Sequence, residues 1–160
     1  MSDVVIRKAE AEDIPLLLDF IKMIAEYEKL PHEVTATEND LFESFFGENA
    51  KTEGLLAFDN SVPVAYAIYF TNFSSFLGKQ GIYLEDIFVK PEMRGKGIGK
   101  KLLKLIAKTA IERNAGRLEW IVLDWNKPAI DFYESIGAFP LEGWTLYRLT
   151  GDKLKEFAGN

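Results

Sequence analysis

The stretch Ile82 to Lys104, IYLEDIFVKPEMRGKGIGKKLLK, restricts the fold of this 160-residue chain more than any other. A branched, apolar run ends at Val89, and Arg94-Gly95-Lys96-Gly97-Ile98-Gly99 then opens a long helical pattern. Three glycines allow backbone conformations closed to other residues, so N–H groups can converge at the helix start. A helix N-terminus carries partial positive charge, and Lys96, Lys100 and Lys101 add formal charge beside it. Such a turn suits a diphosphate. It also serves as a plain tight connection between strand and helix, and the turn alone leaves both readings open. Its G-x-G-x-G spacing is not the G-x-G-x-x-G of a dinucleotide fold, and no acidic residue ends a following strand at the expected distance. The G-x-x-x-x-G-K-[ST] of a P-loop is absent.

Around this turn the periodicity predicts a mixed α/β chain without repeat, low-complexity tract or linker, hence one domain over residues 1–160. Strands are expected at Val4–Lys8, Leu55–Phe58, Pro63–Phe70, Ile82–Val89, Leu118–Leu123 and Gly143–Leu149. The first helix carries Ile14, Leu17, Leu18, Ile21, Ile24 and Ala25 on one face and ends before Pro31. A second, near Glu38–Phe46, has Thr37 and Asp40 placed for a capping box, and Gly47 stops it. The long helix after the glycines, about Gly97 to Asn114, turns Ile98, Leu102, Leu105, Ile106 and Thr109 to the core. A last helix runs from about Pro128 to Ser135.

Charge and composition narrow the chemistry. Nine basic and two acidic residues between Lys90 and Arg117 give that segment +7, which leaves −13 elsewhere in a chain of net charge −6. An acidic body argues against a general nucleic-acid binder. The absence of cysteine excludes disulfides, thiolate metal sites and a Cys nucleophile. A single histidine, His32, excludes a multi-His metal site, and its place beside Pro31 fits a solvated loop residue. Met1 to Glu10 lacks the apolar core of a signal peptide, and no apolar run approaches a membrane span. A cytoplasmic protein that binds neither membrane nor nucleic acid is expected.

Arg94-x-x-Gly97-x-Gly99 matches the R/Q-x-x-G-x-G/A signature of the GCN5-related N-acetyltransferases, in the same strand–turn–helix setting. Tyr27-Glu28, Tyr83-Leu84-Glu85-Asp86, Trp125-Asn126-Lys127-Pro128 leading into Asp131-Phe132-Tyr133, and Glu142-Gly143-Trp144 follow in order. The chain thereby resembles the diamine (spermidine/spermine) N1-acetyltransferase and thialysine N-acetyltransferase branch. The resemblance implies the acyl-CoA N-acyltransferase fold, a mixed central sheet with helices on both faces. It also implies acetyl-CoA as co-substrate, no metal, and a homodimer. The transfer expected is of an acetyl group to a primary amine of a diamine, polyamine or lysine-like small molecule.

Roles carried over from the family follow residue by residue. Backbone at Ile87, Phe88 and Val89 would meet the pantetheine arm, which in the family lies like an extra strand between this strand and the next. Arg94, Gly95, Lys96, Gly97, Ile98, Gly99 and Lys100 would hold the pyrophosphate. Asn126, Lys127, Pro128 and Ala129 would complete the cofactor contacts, Asn126 doubling as a helix cap. Tyr133 would be general acid, since a phenol of pKa about 10 can protonate a departing thiolate of pKa about 8.5. An aliphatic ammonium, pKa about 10.4, must lose a proton before it attacks, and Glu85 is the expected base. Strict alternation would put Glu85, Ile87 and Val89 on one strand face and Asp86 on the other. Tyr27, Glu28, Glu85, Glu119, Glu142 and Trp144 would line the amine site, with Trp144 stacking on a cationic chain. The N–H of Phe88 would receive the developing oxyanion.

Two departures weigh against a strict spermidine/spermine assignment. Ile136 stands where polyamine-acetylating relatives tend to carry a basic side chain, and the Asp59-Asn60-Ser61 turn is tighter than theirs. The alternatives are acetylation of a protein lysine or N-terminus, and a non-catalytic acyl-CoA-binding module.

Overall fold

The computed structural model describes residues 4–159. Contacts divide the chain into two compact units, one ending at Ile121 and one beginning at Val122. The first unit is a five-stranded sheet in the order β1-β2-β3-β4-β5. Its strands are β1 (Val4–Lys8), β2 (Thr52–Asp59), β3 (Val62–Ser74), β4 (Lys79–Val89) and β5 (Leu118–Glu119). All neighbours are antiparallel except β4 and β5, which run parallel. The helices are α1 (Ile14–Tyr27), α2 (Glu38–Phe46) and α3 (Ile98–Glu112).

Each sheet face buries a different helix set. On one side Leu17, Leu18, Phe20 and Ile24 of α1, with Leu41 and Phe45 of α2, pack on Leu56, Tyr66, Ile68 and Phe88. On the other, Ile98, Leu102, Leu103, Ile106 and Ala110 are the buried residues of α3. The sheet meets α3 with Leu55, Ala57, Ala65, Ala67, Tyr69, Ile82 and Leu84, all buried. The predicted face of α3 needs correction: Leu103 takes the place of Leu105, which is 40% exposed, and Ala110 that of Thr109. In α1, fully buried Phe20 joins the core, while Ile21 is only partly covered.

Local chemistry sets the connections. Thr37 accepts from the backbone N–H of Asp40, and Asp40 accepts in return from that of Thr37, which closes the expected capping box of α2. The β2–β3 hairpin turns through Asn60 and Ser61 at φ 48° and 66°, the left-handed geometry of a two-residue turn, managed without glycine. Arg113 at the end of α3 grips both carboxylate oxygens of Glu53 on β2, at 2.6 and 2.8 Å.

The strand that carries the glycine turn is interrupted. Ile68 pairs with Asp86 and Tyr69 with Leu84, so Glu85 is an extra residue bulged out of the β3–β4 ladder. Phe88 lies on the α1 face opposite Tyr66, whereas Ile87 and Val89 pair with Ala67 and Ala65 on the α3 face. The expected opposition of Asp86 to Ile87 and Val89 holds, and the alternation is corrected at Glu85, which the bulge removes from it. Pairing with β5 covers only Ile82↔Leu118 and Tyr83↔Glu119. The strand expected over Leu118–Leu123 is thus shortened to two residues. A bulge sharpens strand twist, and this one lies two residues beyond the last pair, where the two neighbours part.

The second unit holds α4 (Lys127–Ser135) and α5 (Gly151–Ala158), the latter not expected from sequence. The strand expected at Gly143–Leu149 is not formed; a strand requires a ladder partner, and none pairs with it among the described residues.

Leu102 is fully buried at the centre of the α3 interface. Leu102→Ala is expected to lower stability by about 2–5 kcal/mol, read from a denaturant melt.

Candidate active site

Beyond Tyr83, β4 has β3 on one edge and no strand on the other among the described residues. The segment from Leu84 to Val89 therefore presents a row of backbone groups along an open edge, a template for an extended ligand. Ile87, Phe88 and Val89 lie on it. At its end a short 3-10 turn, Pro91–Met93, leads into Arg94 and the glycines. Gly95 and Gly97 both adopt φ near +77°, a conformation that costs other residues about 1–2 kcal/mol. Gly97 is the N-terminal boundary of α3, so the first N–H groups of the helix open toward the turn. Lys96 and Lys100 are exposed beside it. A Cβ on Gly99 would stand 3.6 Å from Val89 Cγ2, which places the helix start against the end of β4.

Carboxylates gather on the opposite, α1 side. Asp86 accepts a 2.8 Å hydrogen bond from the buried hydroxyl of Tyr66. Burial pushes the Asp86 carboxyl up to about 6; the Tyr66 bond opposes this, and the charges of Glu85 and Glu28 add to it. Burial likewise raises Glu28, the residue that caps the C-terminus of α1. Burial first, then Asp86, drive the Tyr66 hydroxyl well above its ordinary value. Glu28, Glu85 and Asp86 thus form one electrostatic group around Tyr66. Tyr27 packs edge-on to Phe88 with ring centroids 6.3 Å apart.

Asp86 and Tyr66 are the residues that sequence reasoning missed. A signal for the bulge was present: the apolar positions facing α3 run 82, 84, 87, 89, and their spacing changes phase across Glu85. Glu119 is held at the end of β5, accepting from Asn72 at 2.8 Å and from Arg117 at 3.1 Å, so its charge is already matched. His32 is exposed in a short turn, 3.4 Å from Glu33. A shallow open depression between the starts of α1 and α2, lined by Glu12, Pro15, Glu38 and Phe42, contains none of the expected site residues.

In the second unit Asn126 accepts from the N–H of Ala129 at 3.4 Å and so caps α4, with Pro128 in the first turn. Lys127 pairs with Asp131 at 2.6 Å one turn on. Tyr133 lies on the same helix, its ring 5.6 Å from that of Phe132. Glu142 and Trp144 sit in non-helical, non-strand chain, with Trp144 exposed. Among the described residues no group of three acidic or histidine side chains is poised to hold a metal ion, and no helix is long and apolar enough to cross a membrane.

Asp86 supplies a stability test. Its folded pKa of about 6 exceeds the ordinary 3.8, so the native state holds a proton the unfolded chain has lost between these values. Its contribution to stability therefore falls as pH rises from about 4 to 6, and the cost is complete above 6. Asp86→Asn keeps an acceptor for Tyr66 and removes the charge. It is expected to stabilise the protein at pH 7.5 by on the order of 1–3 kcal/mol, and by less at pH 5, in paired denaturant melts.

A family model described as the acetyltransferase (GNAT) family matches residues 18–138. The chain is 41% identical to thialysine N-epsilon-acetyltransferase of Bos taurus over 170 aligned residues, covering 99% of each. It is 36% identical to L-ornithine N5-acetyltransferase NATA1 of Arabidopsis thaliana, covering 94% of this chain and 86% of that one. Among solved structures, an integron cassette protein from the mobile metagenome of V. cholerae superimposes with TM-score 0.82 at 29% identity, covering 100% and 99% of the two chains. The strand, the glycine turn and the helix after it are thus set in a known architecture, and the chain belongs to the GNAT family of acetyltransferases.

Proposed function

We propose that this acetyltransferase moves the acetyl group of acetyl-CoA to a primary amine of a small cationic molecule, lysine-like, diamine or polyamine. The observation that carries the reading is the pairing of opposites along β4. An open strand edge runs into a cationic glycine turn, and the carboxylates Glu28, Glu85 and Asp86 cluster at the bulge two residues before Ile87. The thialysine and ornithine acetyltransferases it resembles act on amines of amino acids, as their names state.

In this reading the backbone of Ile87, Phe88 and Val89 aligns the pantetheine arm, and Arg94 to Lys100 with the N-terminus of α3 receive the diphosphate. The resemblance assigns Asn126, Lys127, Pro128 and Ala129 to further contacts with coenzyme A. Tyr27, Glu28, Glu142 and Trp144 draw and orient the ammonium, and Glu85 takes its proton directly or through water. The neutral nitrogen attacks the thioester carbonyl carbon to form the new C–N bond, gives its second proton to solvent, and the C–S bond then breaks. The Phe88 N–H stabilises the oxyanion, and Tyr133 gives its proton to the sulfur. Glu119, already matched by Arg117, keeps only the place at the amine site that the resemblance gives it. Asp86 holds Tyr66 and sets the local negative potential. In this reading residues 1–160 serve one N-acetyltransferase domain placed in the cytoplasm, and a homodimer is expected because members of this branch commonly form one.

Steady-state CoA release with thialysine, ornithine, spermidine and a lysine peptide tests the substrate class. Small amines are expected to outpace the peptide, and a peptide preference would favour the protein-acetylating alternative. Tyr133→Phe is expected to lower kcat by about 100-fold or more with acetyl-CoA affinity retained. Unchanged turnover removes Tyr133 as acid. Glu85→Gln is expected to shift the pH optimum upward, toward the amine's own pKa of about 10.4. An unaltered profile removes Glu85 as base.

A further inference from the structure

Arg94 joins two parts of the first unit that the functional reading treats separately. Its guanidinium carbon lies 4.5 Å from the ring centroid of Tyr27 and 5.5 Å from that of Phe88. Its Nε donates to the carbonyl of Val89 at 3.0 Å, tying the side chain back to the end of β4. The face of an aromatic ring attracts a guanidinium, and the planar fork keeps further N–H donors for a second acceptor. Tyr27 is the last residue of α1, and Glu28 follows it directly. One side chain from the glycine turn therefore fixes the end of the helix that carries an acceptor-site carboxylate.

We propose that Arg94 is a positioning residue for the amine site, clamping Tyr27 so that acetyl-CoA and the amine bind with mutual reinforcement. This rests on the functional reading above. With the glycine turn empty, the guanidinium on Tyr27 opposes an ammonium approaching Glu28. A diphosphate in the turn neutralises that charge, while the Val89 carbonyl and the two rings keep the guanidinium in place. The ammonium then meets Glu28 and Glu85 against less opposing charge. Linkage makes the effect reciprocal, so the amine tightens CoA by the same factor. Arg94 is exposed, and solvent screening keeps the factor small, about fivefold.

The test is titration calorimetry of thialysine into the full chain, with and without saturating CoA, which has no acetyl group to transfer. The readout is the ratio of the two dissociation constants. A direct contact between Tyr27 and the amine would change both constants and leave their ratio alone. In the wild type and in Tyr27→Phe, which keeps the ring, CoA is expected to tighten thialysine about fivefold. In Tyr27→Leu and in Arg94→Gln the ratio is expected to fall to about one, with thermal melts confirming that each variant is folded and direct titration confirming that each is saturated with CoA. Arg94→Gln serves alone if Tyr27→Leu does not fold. CoA binding with a wild-type ratio of about one, or with a ratio unchanged in the variants, overturns the proposal alone. Failure of the wild type to bind CoA at all overturns the functional reading and the proposal with it.

Discussion

The bulge at Glu85 is the constraint on which the rest of the site depends. One extra residue in β4 lets Ile82 and Leu84 face α3, then hands the α1 face to Asp86 and Phe88. Without it, Asp86 and Phe88 would continue on the side of Leu84 and enter the apolar interface with α3. A charged group there would lack the Tyr66 hydroxyl that now bonds it. The same irregularity lies where β5 stops pairing, so the open edge and the carboxylate cluster share one local cause.

The aromatic side chains carry that arrangement through the core. Tyr66 stacks on Phe20 at 5.1 Å, Phe20 meets Phe88 edge-on at 6.5 Å, and Phe88 meets Tyr27, on which Arg94 lies. The cationic segment is divided in its work. Arg113 and Arg117 are paired with Glu53 and Glu119, and Lys108 with Glu112. Lys90 lies over Phe20, 5.7 Å from its centroid. The net charge of +7 thus overstates the charge presented at the glycine turn, which is chiefly that of Arg94, Lys96 and Lys100 beside the start of α3.

Much of this was legible in the residues themselves. Chemistry confined to a few neighbours reads well: the Thr37–Asp40 box, the Asn60-Ser61 turn, the strand–glycine–helix passage and the cap at Asn126 all form. The core faces of α1 and α3 differ from the expected ones by single positions, because tertiary packing and not helical periodicity decides whether Leu103 or Leu105 turns inward. Strict alternation gives no allowance for an inserted residue, so it opposes Asp86 to Ile87 correctly but misplaces Glu85. The expected strand at Gly143–Leu149 rested on composition alone, and composition cannot supply a partner. The residues assigned to the amine come from family resemblance alone, since a carboxylate on a strand is otherwise an ordinary solvated charge.

The most direct measurement is a crystal structure of the protein with CoA and thialysine bound together. The account predicts the pantetheine arm along the open edge of β4 at Ile87–Val89. It predicts the amine nitrogen within hydrogen-bond reach of the Glu85 carboxylate, directly or through one water. An amine nitrogen held away from the bulge, with Glu85 facing bulk solvent, would contradict it.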